Sequence, residues 1–403
     1  MATWAVTTSG DRFEFDPADG AYNSCAKIDD THFINFWSGI SSDGFTQVFT
    51  INTSTWAITT AAERLEFDTQ QATDNSCSQI DTNHFINFWG DVDGDGKVQV
   101  FTINTSTWVV TTANSTLEFD TSTGILNSCC KIDTNHFINF WRGLDQDGKA
   151  QVFTVNTTTW AVTTANTLLE FEGVDDAYNS CVQMDANHFV NFWQDSAGDG
   201  RCQVFTVNTT TWAITTTTVL EFDTQNGAFP SCCKLDDTHL INFWLGGATT
   251  TDGRCQVFTV NTTTWAITTS GAVKVFDTDV GSYNSCVKID NNHVLNYWQG
   301  LDGDGFTQTF EINTTTWAVT TVSSQLEFET TDCLYNSCFQ IDSSHYVNCW
   351  LGASADGFTQ VFSVELPALG PANLKTYNTN PKSNIKTINT NPIANVKTLD
   401  TNV

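Results

Sequence analysis

Residues 84–101, HFINFWGDVDGDGKVQVF, bring a histidine, a tryptophan and three aspartates spaced D-x-D-x-D-G into one short stretch. Asp91, Asp93 and Asp95 have the spacing of the first ligands of a calcium loop, with Gly96 for the turn and His84 nearby. Oxygen donors at alternate positions suit a hard divalent cation. Such a loop also needs a bidentate acid at its twelfth position, and counting from Asp91 that residue is Thr102. Calcium at Asp91, Asp93 and Asp95 is therefore an expectation for one loop, and no other cofactor is implied.

The stretch recurs. TW-[AV]-[VI]-TT begins at Thr3, Thr55, Thr107, Thr159, Thr211, Thr264 and Thr316, so seven copies of a unit of about 52 residues fill residues 3–366. All seven histidines (His32, His84, His136, His188, His239, His293, His345) stand three residues after an aspartate at one repeat position. Metal ligands must converge within a few ångströms, and equivalent positions of seven repeats do not. The reading is a hydrogen bond bracing a turn, once per repeat. The full D-x-D-x-D-G belongs to the second repeat alone. Asp145/Asp147, Asp302/Asp304 and Asp195/Asp199 are partial, and the shared element is Asp-Gly, which suits a hairpin turn with a left-handed residue.

Each unit holds four strand-like runs, NSCxKID, HFINFW, QVFTINT and TWAVTT leading to LEFDT, punctuated by Gly, Asn and Asp. In HFINFW both alternating faces are bulky, as a sheet packed between two others requires. Four antiparallel strands in each of seven units predict an all-β chain: a seven-bladed β-propeller over 1–366. The final unit stops after FTQVFSVELP, where TWAVTT is due, and the first residues supply that strand; the N-terminal strand thus completes the blade of residues 336–366 and leaves no open edge. The repeats resemble those of seven-bladed propellers closed by such a strand, a likeness of architecture over residues 3–366.

Thirteen cysteines leave at least one thiol unpaired within the chain. One per repeat (Cys25, Cys77, Cys129, Cys181, Cys232, Cys286, Cys338) reads as a small buried core residue; Cys130, Cys202, Cys233, Cys255, Cys333 and Cys349 are additional, and some of these could pair between blades. N-T-[ST] sequons fall at Asn52, Asn104, Asn156, Asn208, Asn261 and Asn313, with a further sequon at Asn114; each reads either as a glycosylation acceptor or simply as a good turn.

Residues 367–403 differ. They form a tail with an 11-residue period, ANLKTYNTNP, SNIKTINTNP, ANVKTLDTNV, and apolar pairs Leu374/Tyr377, Ile385/Ile388 and Val396/Leu399. Pro381 and Pro392 argue against a helix, and an extended segment of this length could reach roughly 120 Å. It reads as a flexible tail or as an arm that docks on neighbouring subunits, its four lysines complementing a chain whose net charge is −29. Such acidity disfavours nucleic acid and anionic lipid as partners, and no apolar run approaches a membrane span. The N-terminus lacks a secretory leader, while a Thr-, Asn- and Ser-rich, Lys-poor composition points to an extracellular location.

No single constellation stands out from its six copies, so the chain is read as non-enzymatic. Two function classes follow: a self-assembling extracellular structural subunit, or a multivalent lectin-like propeller that binds glycans. Propeller plus extended tail is similar to subunits of extracellular helical filaments, which implies self-association through the tail.

Overall fold

In the computed structural model, residues 4–173, 177–247 and 251–365 are described. The chain runs through β1 (Ala5–Asp16), then β2 (Ala21–Lys27), β3 (His32–Ser38), β4 (Gly44–Ile51), β5 (Ile58–Thr60) and β6 (Leu65–Asp68). Strands β2 to β5 form one antiparallel sheet in chain order, and β6 returns to pair with β4 beyond β5. Six further sheets repeat this order, giving the seven-bladed propeller predicted from the repeat. The seventh blade contains Leu334–Gln340, His345–Leu351 and Gly357–Glu365, and its outer strand is β1, with Val6 opposite Val364 and Thr8 opposite Phe362. The ring is closed by that strand pairing.

The second strand of each blade is buried on both faces. Ile34 and Phe36 pack with Phe85 and Phe101 of blade 2, whereas Phe33 and Trp37 pack with Val347 and Val361 of blade 7. The same arrangement recurs at every interface, so the core is a ring of seven inter-blade layers and not one central mass.

The outer strand is split in five blades. It is continuous in β1 and in Ile267–Asp277, which alone carry Ser-Gly after the Thr-Thr pair. Gly10 and Gly271 have φ of +71° and +69°, and a Cβ on either would lie 2.4 or 2.2 Å from the carbonyl oxygen of Trp56 or Trp317. Glycine satisfies both constraints at once.

Two sequence expectations are corrected. The shared Asp-Gly glycine does not supply a left-handed turn residue; it opens the third strand and lies beneath the phenylalanine of LEFD. A Cβ on Gly357 would meet the Phe15 ring at 2.4 Å. The left-handed residues lie earlier in these loops, at Ser41, Asp145 and Asp302. The tryptophan of TWAVTT, expected in a strand, sits instead in the preceding turn. Trp56 has φ +60°, its N–H donates to the Asn52 carbonyl at 2.6 Å, and its ring stacks on His345 of the adjacent blade at 3.5 Å.

Residues 366–403 lie outside the described residues, and with them the tail boundary and Leu374, Tyr377, Ile385, Ile388, Val396 and Leu399.

Candidate functional site: the axial funnel

The sequence-predicted residues come first. Each histidine is held by the aspartate three residues earlier; the Nδ1 of His84 lies 2.8 Å from Asp81 Oδ1. The other face of the pair is an inter-blade contact, since His32 stacks on Trp108 and His84 on Trp160, and His293 packs tilted against Trp4. At Asp29, burial opposes ionisation, but the Thr31 N–H and hydroxyl and the His32 ring outweigh it and hold the carboxyl below its ordinary value. Asp81, Asp133, Asp185, Asp236 and Asp342 are lowered in the same way, burial again being outweighed by their donors.

In the D-x-D-x-D-G loop, Asp91 is buried, and its Oδ1 accepts the N–H groups of Asp93 at 3.0 Å and Asp95 at 2.9 Å. Its Oδ2 lies 2.6 Å from Lys97 Nζ. Asp195 makes the matching set with Ala197, Asp199 and Arg201. Among the described residues no group of three or more His, Cys, Asp or Glu side chains is gathered so as to hold a metal ion. The six N-T-[ST] asparagines are exposed, and each accepts backbone N–H groups two and three residues on, as Asn52 does from Ser54 and Thr55. Asn114 is partly buried, its side chain bonded to the Val100 N–H and the Ser115 carbonyl.

The inner-strand cysteines pack against the inter-blade layers and also bond across them. Cys77 donates its N–H to the Ser24 hydroxyl oxygen at 2.9 Å and its thiol to the Ser24 carbonyl at 3.4 Å. Equivalent pairs, down to Cys25 with Ser337, form a belt linking all seven blades around the axis. Burial pushes the Cys77 thiol up to about 12, with its Ser24 hydrogen bond opposing. A second belt lies further out. Trp37 Nε1 donates to Asp16 Oδ2 at 2.9 Å, and five further tryptophans do the same to the acid 21 residues earlier, across a blade interface. Blade 4 is the exception: Glu172 turns to Arg201 and leaves Trp193 Nε1 without a partner.

The ring of residues around the axis departs from the sevenfold pattern. At the face where the inner strands begin, the register slips between Ala21 and Ser24, and Tyr22 takes φ +52°. A bulge of this kind re-aims a side chain. The same left-handed position is held by Asp74, Leu126, Tyr178, Phe229, Tyr283 and Tyr335, all lining an axial cavity of about 220 Å³. The asparagine that follows fixes the bulge: Asn75 Nδ2 donates to the carbonyls of Ala72 and, across the interface, Tyr22, and its Oδ1 accepts from Asn87. Blade 5 has Pro230 there.

Five of the seven residues make a continuous aromatic arc. Centroids are 4.2 Å apart for Tyr178/Phe229, 4.4 Å for Phe229/Tyr283, 5.1 Å for Tyr283/Tyr335 and 4.3 Å for Tyr335/Tyr22. Leu126 and Asp74 complete the ring. Burial raises the Asp74 carboxyl to about 6, against the opposing pull of the Leu126 backbone, Thr73 and Arg142. Burial likewise pushes Tyr283 up to about 12. The funnel therefore offers aromatic faces, amide edges and one carboxyl that is partly protonated near neutrality. Its volume is below that of a drug-sized pocket and fits a single small ring. Sequence reasoning missed it, although the residue before Asn-Ser-Cys (Pro-Ser-Cys in blade 5) is aromatic in five of the seven repeats and thus could have been noticed.

No family model matches the chain, and no curated protein matches it by sequence. Solved structures do match in fold. The BP39L lectin from Burkholderia pseudomallei aligns with a TM-score of 0.62 at 9% identity, over 87% of this chain and 99% of the lectin. A candidate 6-phosphogluconolactonase from Bacteroides fragilis gives 0.59 at 12% identity over 77% and 85%. A chain of the outer coat vertex of COPII on membranes gives 0.57 at 11% identity over 86% and 84%. At such identities the likeness is one of fold.

Proposed function

We propose that the protein is a non-enzymatic, self-assembling structural subunit of an extracellular filament or surface layer, in which the propeller is the body and residues 367–403 are an arm that docks on the next subunit. The observation that carries this is the division of chemistry along the chain. The repeated polar residues of the blades are spent on holding blades to one another, whereas the tail combines an 11-residue repeat with four lysines in a chain of net charge −29. An extended arm joining a subunit to the next is a head-to-tail contact that does not close, and such contacts build filaments. The test is electron microscopy and sedimentation of the full-length protein beside a chain ending at residue 366. The full-length protein is expected to polymerise at low salt and to disassemble as salt screens the lysines, with the shortened chain remaining a folded monomer. Polymers of the shortened chain, or a monomeric full-length protein at high concentration, would remove the reading.

The axial funnel favours a second reading, a carbohydrate-binding propeller. Aromatic faces flanked by amides and a carboxyl suit the alternating apolar and hydroxyl faces of a sugar ring. One axial site replaces the several equivalent pockets expected from the repeat. Glycan-array binding by the propeller, abolished by Tyr283→Ala and Tyr335→Ala, would favour it over assembly.

A further inference from the structure

The additional cysteines are not scattered. Side chains alternate along a strand, so in the inner strand Ile125–Lys131 the thiol of Cys129 faces blade 2, where it donates to the Ser76 carbonyl at 3.4 Å, and that of Cys130 faces blade 4. There its Sγ lies 2.8 Å from Sγ of Cys181, inside the contact layer that also holds Ile138 and Phe189. The second Cys-Cys pair repeats this geometry two blades on: Cys233 packs with Cys286 in the layer between blades 5 and 6. Cys349 stands where other blades have Phe or Tyr in HFINFW, and it packs with Cys25 in the layer between blades 7 and 1. Every extra cysteine of these three thus opposes the belt cysteine of a neighbouring blade.

We propose that Cys130–Cys181, Cys233–Cys286 and Cys25–Cys349 are inter-blade disulfide sites, oxidised by a low-molecular-weight disulfide. All six are free thiols in this structure. A thiolate of each pair attacks the small disulfide, forming a mixed disulfide and releasing one thiol; the partner thiolate then displaces the second. Two protein thiols and one RSSR become one protein disulfide and two RSH. The 2.8 Å separation is longer than a disulfide bond of about 2.05 Å and short enough for the bond to form with little backbone movement. Sulfur contact and burial both push the Cys130 and Cys233 thiols up, so the reaction is slow in the closed ring and proceeds when blades part. The three bridges would tie blades 3 to 4, 5 to 6 and 7 to 1, the last adding a covalent link to the interface that β1 closes.

The test uses the full-length protein, purified reduced and then held in oxidised glutathione at mildly alkaline pH, a few degrees below its unfolding midpoint. Thiol titration in denaturant is expected to fall by six from the thirteen of the reduced chain. Mass spectrometry of a non-reduced digest is expected to contain the 130–181, 233–286 and 25–349 cross-linked peptides, and the oxidised protein to melt at a higher temperature than after dithiothreitol. Cys130→Ala, Cys233→Ala and Cys349→Ala should each delete one cross-link and spare the other two; where one fails to fold, Cys→Ser at the same position replaces it. Thirteen thiols still titrating, or cross-links joining other cysteines such as 129–130, would overturn the assignment.

Discussion

At the scale of single residues, the repeat makes each blade a control for its neighbours. Trp193 lacks the indole hydrogen bond that six blades have: Glu172 turns to Arg201, whereas Glu329, the other glutamate at this position, accepts from both Trp350 and Arg12, and the remaining five positions are aspartate. Glu172→Asp is expected to restore the bond and raise stability by about 1 kcal/mol in urea unfolding. The converse change, Asp223→Ala, strips a buried acceptor from Trp244 and Arg254 and is expected to cost about 2–4 kcal/mol. Two sets of carboxyls give opposite pH dependences. The His-paired aspartates have folded values below 3.8, so their stabilisation is complete above about that pH and is lost as pH falls through the folded values. Asp74 has a folded value near 6, so its burial carries no penalty below 3.8 and a growing one as pH rises toward 6. Asp74→Asn should therefore raise the thermal midpoint at pH 7 and leave it nearly unchanged at pH 4, measured by calorimetry.

At the scale of elements, the strand pattern was legible and the cross-blade pairings were not. The bulk on both faces of HFINFW required two packed neighbours, and the seven-unit count with its displaced TWAVTT required closure by β1; both hold in the structure. What the sequence concealed were contacts between different repeats: His32 on Trp108, Trp37 on Asp16, Cys130 on Cys181. A periodic sequence aligns each residue with its copies and says nothing of which copy it touches. The acid 21 residues before the tryptophan of each HFINFW-type strand is present in the sequence as a spacing, but its partner lies across an interface. The Asp-Gly glycine was misread because crowding and backbone conformation both select glycine, and a sequence does not separate the two causes. The two cases predict different behaviour. Gly10→Ala forces a left-handed alanine onto the Trp56 carbonyl and should cost about 1–3 kcal/mol whatever its neighbours do. The cost of Gly357→Ala should fall when Phe15 is shortened to Leu, since its clash is with that ring. A double-mutant cycle by urea unfolding measures both.

At the scale of the whole molecule, the seven layers are alike, and no blade has a core of its own. Stability then comes largely from interfaces between neighbours, as in other repeat architectures, although ring closure removes the free ends. A chain lacking residues 1–16 would leave Gly357–Glu365 as a bare edge and Trp37 and Arg64 without Asp16. It is expected to aggregate by strand pairing, as followed by light scattering, and not to remain a six-and-a-half-bladed monomer.

The pairing of Ala5 with Glu365 also fixes an order in time. Those residues are some 360 positions apart, and by loop-closure entropy joining them costs only about 2 kcal/mol more than closing one repeat. The thermodynamic burden is small. The kinetic one is larger: β1 has no partner until the last blade has folded, so contacts of the highest sequence separation form last, and two sheet edges stay open meanwhile. The folding reaction of this ring thus ends where its chain began, and its rate is set by how long the first strand must search for the last.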